Sequence, residues 1–319
     1  MTSILAVTGP IYLSIGIGFV ATRSGFFSKA DGQVLGRFVL NFALPAMLFN
    51  ALASRNFQDV LHPDYLASYA LGSLLAFAVM VGLARWVLHK DLTTSALMGM
   101  GASCSNSGYI GYPILLQLLG PAAGVGLALT LLVENLLMIP LGLSLAESGR
   151  AVQATWQRHV VESVKRLSRS PLMGAIVLGF VCSMLGWQMP EPLAKTVNLF
   201  ASACAGAALF VNGGSLVGLR VQGLVRQVNV IALAKLVVHP LGVATCLWWF
   251  GPVDTSLWIS GVLLAAMPMM GIYPLFAQRF QLEGLCAAAL LVTTLVSFVT
   301  ISLILWAMSQ LPDWRLVVR

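Results

Sequence analysis

The sequence predicts an all-α integral membrane protein: ten transmembrane helices in two five-helix repeats of opposite orientation, with helices 4 and 9 interrupted. Three observations predict it. First, 58% of the 319 residues are apolar and 9% charged, where a soluble domain carries about 25% charged residues. Second, the chain repeats itself at a constant offset of 161 residues: Pro10 pairs with Pro171, Gly18-Phe19-Val20 with Gly179-Phe180-Val181, Leu48-Phe49 with Leu209-Phe210, and Tyr112-Pro113 with Tyr273-Pro274. Third, Lys and Arg gather in alternate loops.

A spanning helix needs about 20 mainly apolar residues. Ten segments qualify: 3–23, 33–54, 65–88, 93–119, 122–146, 171–189, 194–217, 228–250, 254–280 and 283–309. The first lacks the basic start of a signal peptide and is matched by the sixth at the offset, so it reads as a span. With the N-terminus outside, 13 of the 18 Lys and Arg fall in cytoplasmic loops, among them Arg23, Arg85, Arg150, Lys165 and Arg279. The positive-inside rule then puts both termini outside, periplasmic in a bacterial inner membrane. Five spans per copy, an odd number, make the copies inverted. The expected domains are a first repeat over 1–148, a basic cytoplasmic linker over 149–170 held near anionic headgroups, and a second repeat over 171–319. The net charge of +7 is thus a membrane feature and calls for no nucleic-acid partner. Cys104, Cys182, Cys204, Cys246 and Cys286 lie singly in apolar segments, which points to core packing rather than disulfides or a metal site. There is no phosphate-binding loop and no cofactor motif, so transport would run on gradients.

Prolines mark the irregular places. Pro10 and Pro171 are expected in the first turns of spans 1 and 6, where a missing N–H costs little. Pro45 lies inside span 2 and should bend it; its counterpart is Gly206. Span 4 contains Ser105-Asn106-Ser107-Gly108-Tyr109-Ile110-Gly111-Tyr112-Pro113, and span 9 contains Met267-Pro268-Met269-Met270-Gly271-Ile272-Tyr273-Pro274. Backbone groups left open in lipid cost several kcal/mol each, so two broken helices at matching places should face protein or a wet cavity. Such pairs point to a transporter's binding site. The second half of each broken helix turns its N–H groups toward the bilayer centre. With the Asn106 amide, the three tyrosines and a methionine wall, this suits a small organic anion with some apolar surface. The expected substrate-binding residues are Ser105, Asn106, Ser107, Gly108, Tyr109, Tyr112, Pro113, Met267, Pro268, Gly271, Tyr273 and Pro274.

Lys235 and His239 share a face at i,i+4, with Lys235 expected near the cytoplasmic end and able to snorkel. Glu134 could pair with Lys235, bind a proton or coordinate a cation. These three are the expected coupling or ion-pair residues. Asn41, Asn50 and Asn212 read as interhelical hydrogen-bonding residues. Paired intramembrane acids or a nucleophile–base set are absent from the sequence, which argues against an enzyme.

Asn41-Phe42-Ala43-Leu44-Pro45-Ala46, the Ser105–Pro113 stretch and Met267-Pro268 together resemble the auxin efflux carrier family, which includes plant carriers and bacterial malonate-transporter types. The resemblance covers essentially the whole chain. It implies broken helices 4 and 9 that cross at the substrate site, a scaffold part moving against a transport part, and a homodimer. Asn106 and Pro113 match the family's first crossover, and Pro274 sits where the second break is expected. Met267 stands at the place paired with Asn106, so an amide pair is expected to be missing. The implied function is efflux or uptake of malonate or auxin-like carboxylates by alternating access. The alternative is a sodium-coupled organic anion symporter of the bile-acid type, although no acid lies between Asp254 and Glu283.

Overall fold

A computed structural model describes residues 2–55, 61–149, 169–219, 224–250 and 254–310; most of the linker expected over 149–170 lies outside them. The described residues are helical apart from turns and one isolated bridge. The helices are α1 (Thr2–Arg23), α2 (Lys29–Ala53), α3 (Pro63–Val87), α4 (Leu92–Ser103), α5 (Ser107–Gly111 continuing into Tyr112–Leu119) and α6 (Ala123–Val133, Glu134–Met138 and Ile139–Ser148). They continue with α7 (Pro171–Leu185), α8 (Glu191–Ser215), α9 (Val225–Trp249), α10 (Thr255–Ala266), α11 (Tyr273–Gln278) and α12 (Glu283–Met308).

Among the described residues, seven helical runs are long and apolar enough to cross a membrane, and α7 and α10 are shorter apolar helices. One of the seven, Ser107–Ser148, is divided between α5 and α6 at Gly120, whose φ of +57° is a left-handed turn conformation that only glycine adopts without strain. Helices α4 and α10 have 12 residues each. At about 1.5 Å rise per residue neither spans the roughly 30 Å hydrocarbon core alone.

The ends are capped by local chemistry. Asp91 Oδ1 accepts from the Thr94 N–H at the start of α4, at 2.9 Å. Asp254 Oδ2 accepts from the Ser256 N–H at the start of α10, at 3.1 Å. Ser28 and Asp31 form a reciprocal capping box at α2. Burial alone would raise the Asp91 carboxyl, but the hydroxyl and N–H of Thr94 outweigh it and hold it below the usual carboxylate range.

The prolines are handled differently from expectation. Pro10 lies within α1, whose helix begins at Thr2; it is not a first-turn proline, whereas Pro171 is. Pro45 follows a widened π-turn, Val39–Ala43, in which the Leu44 N–H reaches five residues back to the Val39 carbonyl. The same device precedes Pro113, Pro140 and Pro240, where Tyr112, Ile139 and His239 donate to Ser107, Glu134 and Ala234. A proline ring collides with the carbonyl four residues earlier and offers no N–H; widening the preceding turn relieves both problems. Gly206 needs no such device, and α8 runs through it without a break.

The helices fall into two packed groups. In one, α1 packs on α8, α7 on α2, and α2 on α8. In the other, α9 packs on α3 and α10, α3 on α4, α4 on α6, and α12 on α9 and α11. Close approach depends on small residues, as membrane helix pairs generally do. A Cβ on Gly18 would run into the Phe210 backbone, one on Gly213 into the Ile15 carbonyl, and one on Gly179 would lie 2.8 Å from Leu52 Cβ. Gly18 and Gly179 are repeat partners, so each copy uses the same glycine to seat its first helix on a second-helix segment of the other copy.

Gly213 and Gly206 on the same helix give a controlled comparison. A Cβ at Gly206 meets nothing within 4 Å. Gly213→Ala should destabilise the detergent-solubilised protein by about 1–3 kcal/mol through overpacking, while Gly206→Ala should be neutral or slightly stabilising. Thermal unfolding of the two variants checks this, and equal midpoints would mean that α1 and α8 do not meet at Gly213.

Candidate functional site at two crossing helix breaks

The first break covers residues 104–106, between α4 and α5. Cys104 is extended, with φ −108° and ψ 132°, and the helix resumes as a wide turn in which the N–H groups of Ile110 and Gly111 both donate to the Asn106 carbonyl at 3.1 Å. The second break covers 267–272, between α10 and α11. Met267 is extended, with φ −62° and ψ 152°, as expected of a residue before proline. The two breaks meet: Ser105 and Met269 form an antiparallel bridge, and the Asn106 N–H donates to the Pro268 carbonyl at 2.7 Å. Each unwound segment satisfies part of the other's backbone.

Tyr112-Pro113 therefore lies one widened turn into the second half-helix α5, and Tyr273-Pro274 opens α11; neither makes a break. Pro274 occupies an initial helical position, where it is well tolerated, and Pro113 is accommodated by the widened turn before it. In span 9 the break belongs to Pro268, not to Pro274. Tyr273 reaches back across the crossing, and its hydroxyl donates to the Leu97 carbonyl of α4 at 2.7 Å. Gly101 makes room for it, since a Cβ there would sit 2.6 Å from the Tyr273 hydroxyl. Gly111 likewise leaves space for Leu264 and Met267. Gly108 lies against Leu44 of α2, and the Tyr109 hydroxyl donates to the Gly36 carbonyl of α2 at 3.2 Å.

Charged side chains hold the crossing from both sides. Glu134, 3% exposed, accepts at Oε1 from the Ser105 N–H at 2.9 Å, the Ser107 hydroxyl at 3.0 Å and the Tyr69 hydroxyl at 3.4 Å. It caps the start of α5, where a negative charge opposes the helix dipole. Lys235 is wholly buried. Its Nζ donates to Ser105 Oγ at 2.6 Å, to the Ala265 carbonyl at 2.8 Å and to His239 Nδ1 at 2.8 Å. With Nδ1 accepting, His239 Nε2 carries the proton and donates to Ser73 Oγ at 2.9 Å. Two expectations are thereby corrected. Lys235 does not snorkel, because its three donors are spent inside the protein. Nor is the start of α5 open along its whole edge to an anion, because Glu134 already holds Ser105 and Ser107. Glu134 and Lys235 are linked through Ser105 rather than by direct contact.

The amide pair expected to be missing is present, with a partner from another helix. Asn106 Nδ2 donates to Asn212 Oδ1 of α8 at 2.8 Å. The Asn212 amide is 3% exposed, and its Nδ2 has no hydrogen-bond partner. A Cβ placed on Gly271 would find nothing nearer than Asn212 Oδ1, at 4.0 Å, so the exposed Gly271 lies next to this amide. Asn212 thus makes the interhelical hydrogen bond expected of it, with a partner that its repeat mate Ala51 does not point to. Asn41 bonds to its own helix at Arg37, and Asn50 to Asn198. An apolar groove of ≈ 420 Å³ lined by Pro45, Phe49, Pro171 and Leu178 opens between α2 and α7 and includes none of the expected site residues.

The family profile described as "Membrane transport protein" matches residues 4–305. The chain is 23% identical to the "Putative malonate transporter" of Rhizobium meliloti, over 94% of this chain and 95% of that protein. It is 22% identical to "Auxin efflux carrier component 8" of Arabidopsis thaliana, over 88% of this chain and 90% of that one. It is also 25% identical to the "Lysosomal cholesterol signaling protein" of Mus musculus, over 88% of this chain and 34% of the mouse protein.

Ser105 joins both buried charges, and this sets a stability test. Ser105→Ala should leave one Lys235 donor unpaired and cost about 1–3 kcal/mol. Ser103→Ala should cost much less, because the Ser103 hydroxyl donates only to Gly99 of its own helix. Thermal unfolding in detergent separates them, and a Ser105 variant no weaker than the Ser103 variant would dissolve the proposed link.

Proposed function

The chain belongs to the membrane transport protein family, the auxin efflux carrier family, and from that premise we propose that it is a secondary carrier of small organic anions, malonate or auxin-like carboxylates, working by alternating access. Its membership makes it a multi-pass membrane transporter with a small-molecule substrate, and not an enzyme. The observation that carries the finer reading is the buried Asn212 Nδ2, without a partner, beside the crossing of two broken helices. An unpaired buried donor costs about 1–3 kcal/mol, and a carboxylate oxygen arriving at Gly271 would remove that cost. The first-turn N–H groups of α5 beyond Glu134's reach add positive potential. Met267 and Met269, both fully buried, supply an adaptable apolar wall. The names of two relatives refer to malonate and auxin, and both compounds carry carboxylates.

The proposed binding residues are Asn106, Gly108, Tyr109, Tyr112, Gly271 and now Asn212. Ser105, Ser107, Pro113, Met267, Pro268, Tyr273 and Pro274 shape the crossing. The proposed topology is ten spans in two inverted repeats, with both termini outside a bacterial inner membrane, in a homodimer. The fall of the described helices on the ten expected segments and the basic bias of alternate loops support it. The two packed helix groups are the natural scaffold and moving parts.

Uptake of radiolabelled malonate and other small carboxylates into proteoliposomes tests this reading, under imposed pH, sodium and voltage gradients. Saturable uptake is expected. Asn106→Ala and Asn212→Ala should each reduce it by roughly tenfold or more, the worth of a hydrogen bond to a charged group. Gly206→Ala should transport normally. Absence of saturable carboxylate uptake, or full activity in both asparagine variants, would sink the proposal.

A further inference from the structure

The surroundings of Lys235 are those of a bound cation. An ammonium has three donors and no acceptor, and each donor has a partner at 2.6–2.8 Å: Ser105 Oγ, the Ala265 carbonyl and His239 Nδ1. Ala265 is the penultimate residue of α10, so its carbonyl is among those a helix end leaves without an N–H and belongs to the dipole's negative pole. Glu134 stands on the other side of Ser105, bonded to its N–H. Transporters with discontinuous helices use this set of groups, half-helix C-terminal carbonyls and unwound segments, to hold a coupling sodium ion or proton. Here the place is filled by a side chain.

We propose that the Lys235 ammonium is a tethered substitute for a diffusible coupling cation, so that the carrier completes its crossing without binding sodium. The inference rests on the carrier reading above. Charge balance supports it. Glu134 and Lys235 together are neutral, and a further monovalent cation would be an uncompensated buried charge, which is expensive in low dielectric. Coordination supports it as well, because all three acceptors already face Nζ. Lys235 is fixed for this task by its own helix. The wide turn Ala234–Val238 before Pro240 carries it, and His239, four residues on, closes the shell. Tyr69 packs edge-on against the His239 ring, at 5.8 Å between centroids, and Ser73 fixes the opposite ring nitrogen.

Removing the side chain should convert the place into a sodium site. Lys235→Ala keeps Ser105 Oγ, the Ala265 carbonyl and His239 Nδ1, empties the space of the lysine chain, and leaves Glu134 without its counter-charge. The test is thermal unfolding of purified protein in detergent, with sodium chloride exchanged for choline chloride at constant ionic strength. The wild type should show the same midpoint in both salts. Lys235→Ala should start lower and rise by several degrees, saturably, with sodium. The double variant Glu134→Gln/Lys235→Ala should lose that rise. A saturable sodium response in the wild type overturns the proposal, and so does a Lys235→Ala protein that folds but does not respond. If Lys235→Ala cannot be recovered folded, the wild-type titration decides alone: a flat response supports the tethered cation and a saturable one removes it. The readout involves no substrate, so failure to find carboxylate uptake would count against the carrier reading and leave this result intact.

Discussion

Every buried backbone N–H and carbonyl in a bilayer must find a partner, because no water is at hand and each failure costs several kcal/mol. An unbroken helix meets this demand by itself. A helix that stops in the buried interior does not, and two helices of this chain, α4 and α10, stop there. Most of the unusual chemistry follows from that. The unwound segments pair with each other through Ser105, Asn106, Pro268 and Met269. The start of α5 is met by a carboxylate, and the end of α10 by an ammonium. Neither charge could be buried alone. Each is tolerable because it serves a helix end and because the other lies one residue away.

The widened turns answer the same demand on a smaller scale. Four prolines inside spanning helices are each preceded by a turn in which one N–H reaches back five residues. Such turns often mark functional sites, and here three of the four carry the site. They begin at Ser107 and Glu134 and include Lys235. The prolines thus place the charges: they fix where a helix widens, and the widened turn presents a side chain that a regular helix would aim elsewhere.

The sequence disclosed the fold through simple quantities. Apolar length marked the helical segments, Pro268 with the glycine-rich run after Ser105 marked the breaks, and the offset of 161 pairs Gly18 with Gly179, two glycines in equivalent close contacts. The partners were less legible. The repeat mate of Asn106 is Met267, but its amide partner is Asn212, whose own repeat mate is Ala51. Repeat symmetry predicts equivalent places, and function at a crossing breaks that symmetry. Counting along the chain puts Lys235 near a helix end; the packing of α9 on α3 and α10 is what buries it. Glu134 and Lys235 both fall in the widened turns that precede Pro140 and Pro240, Glu134 as the first residue of its turn and Lys235 as the second.

The distribution of polar links bears on how the proposed carrier would move. Among the described residues, three side-chain hydrogen bonds join the two helix groups: Asn106 to Asn212, Tyr109 to the Gly36 carbonyl, and Tyr12 to Ser297. The Glu134–Ser105–Lys235–His239–Ser73 chain lies wholly within the group that contains both breaks. A network of buried charges resists shear, since displacing any member leaves a charge unpaired. Three neutral hydrogen bonds resist it little, at roughly 1 kcal/mol each. Under alternating access the charged crossing would therefore travel as one body, and sliding would occur along the α8 face where Asn212 sits. Of the three links, the amide pair holds the unpartnered donor, so a carboxylate that engages Asn212 acts on one of the contacts that must break for the groups to move. Binding and motion would then be coupled through a single side chain, with the charge pair serving to keep the crossing rigid.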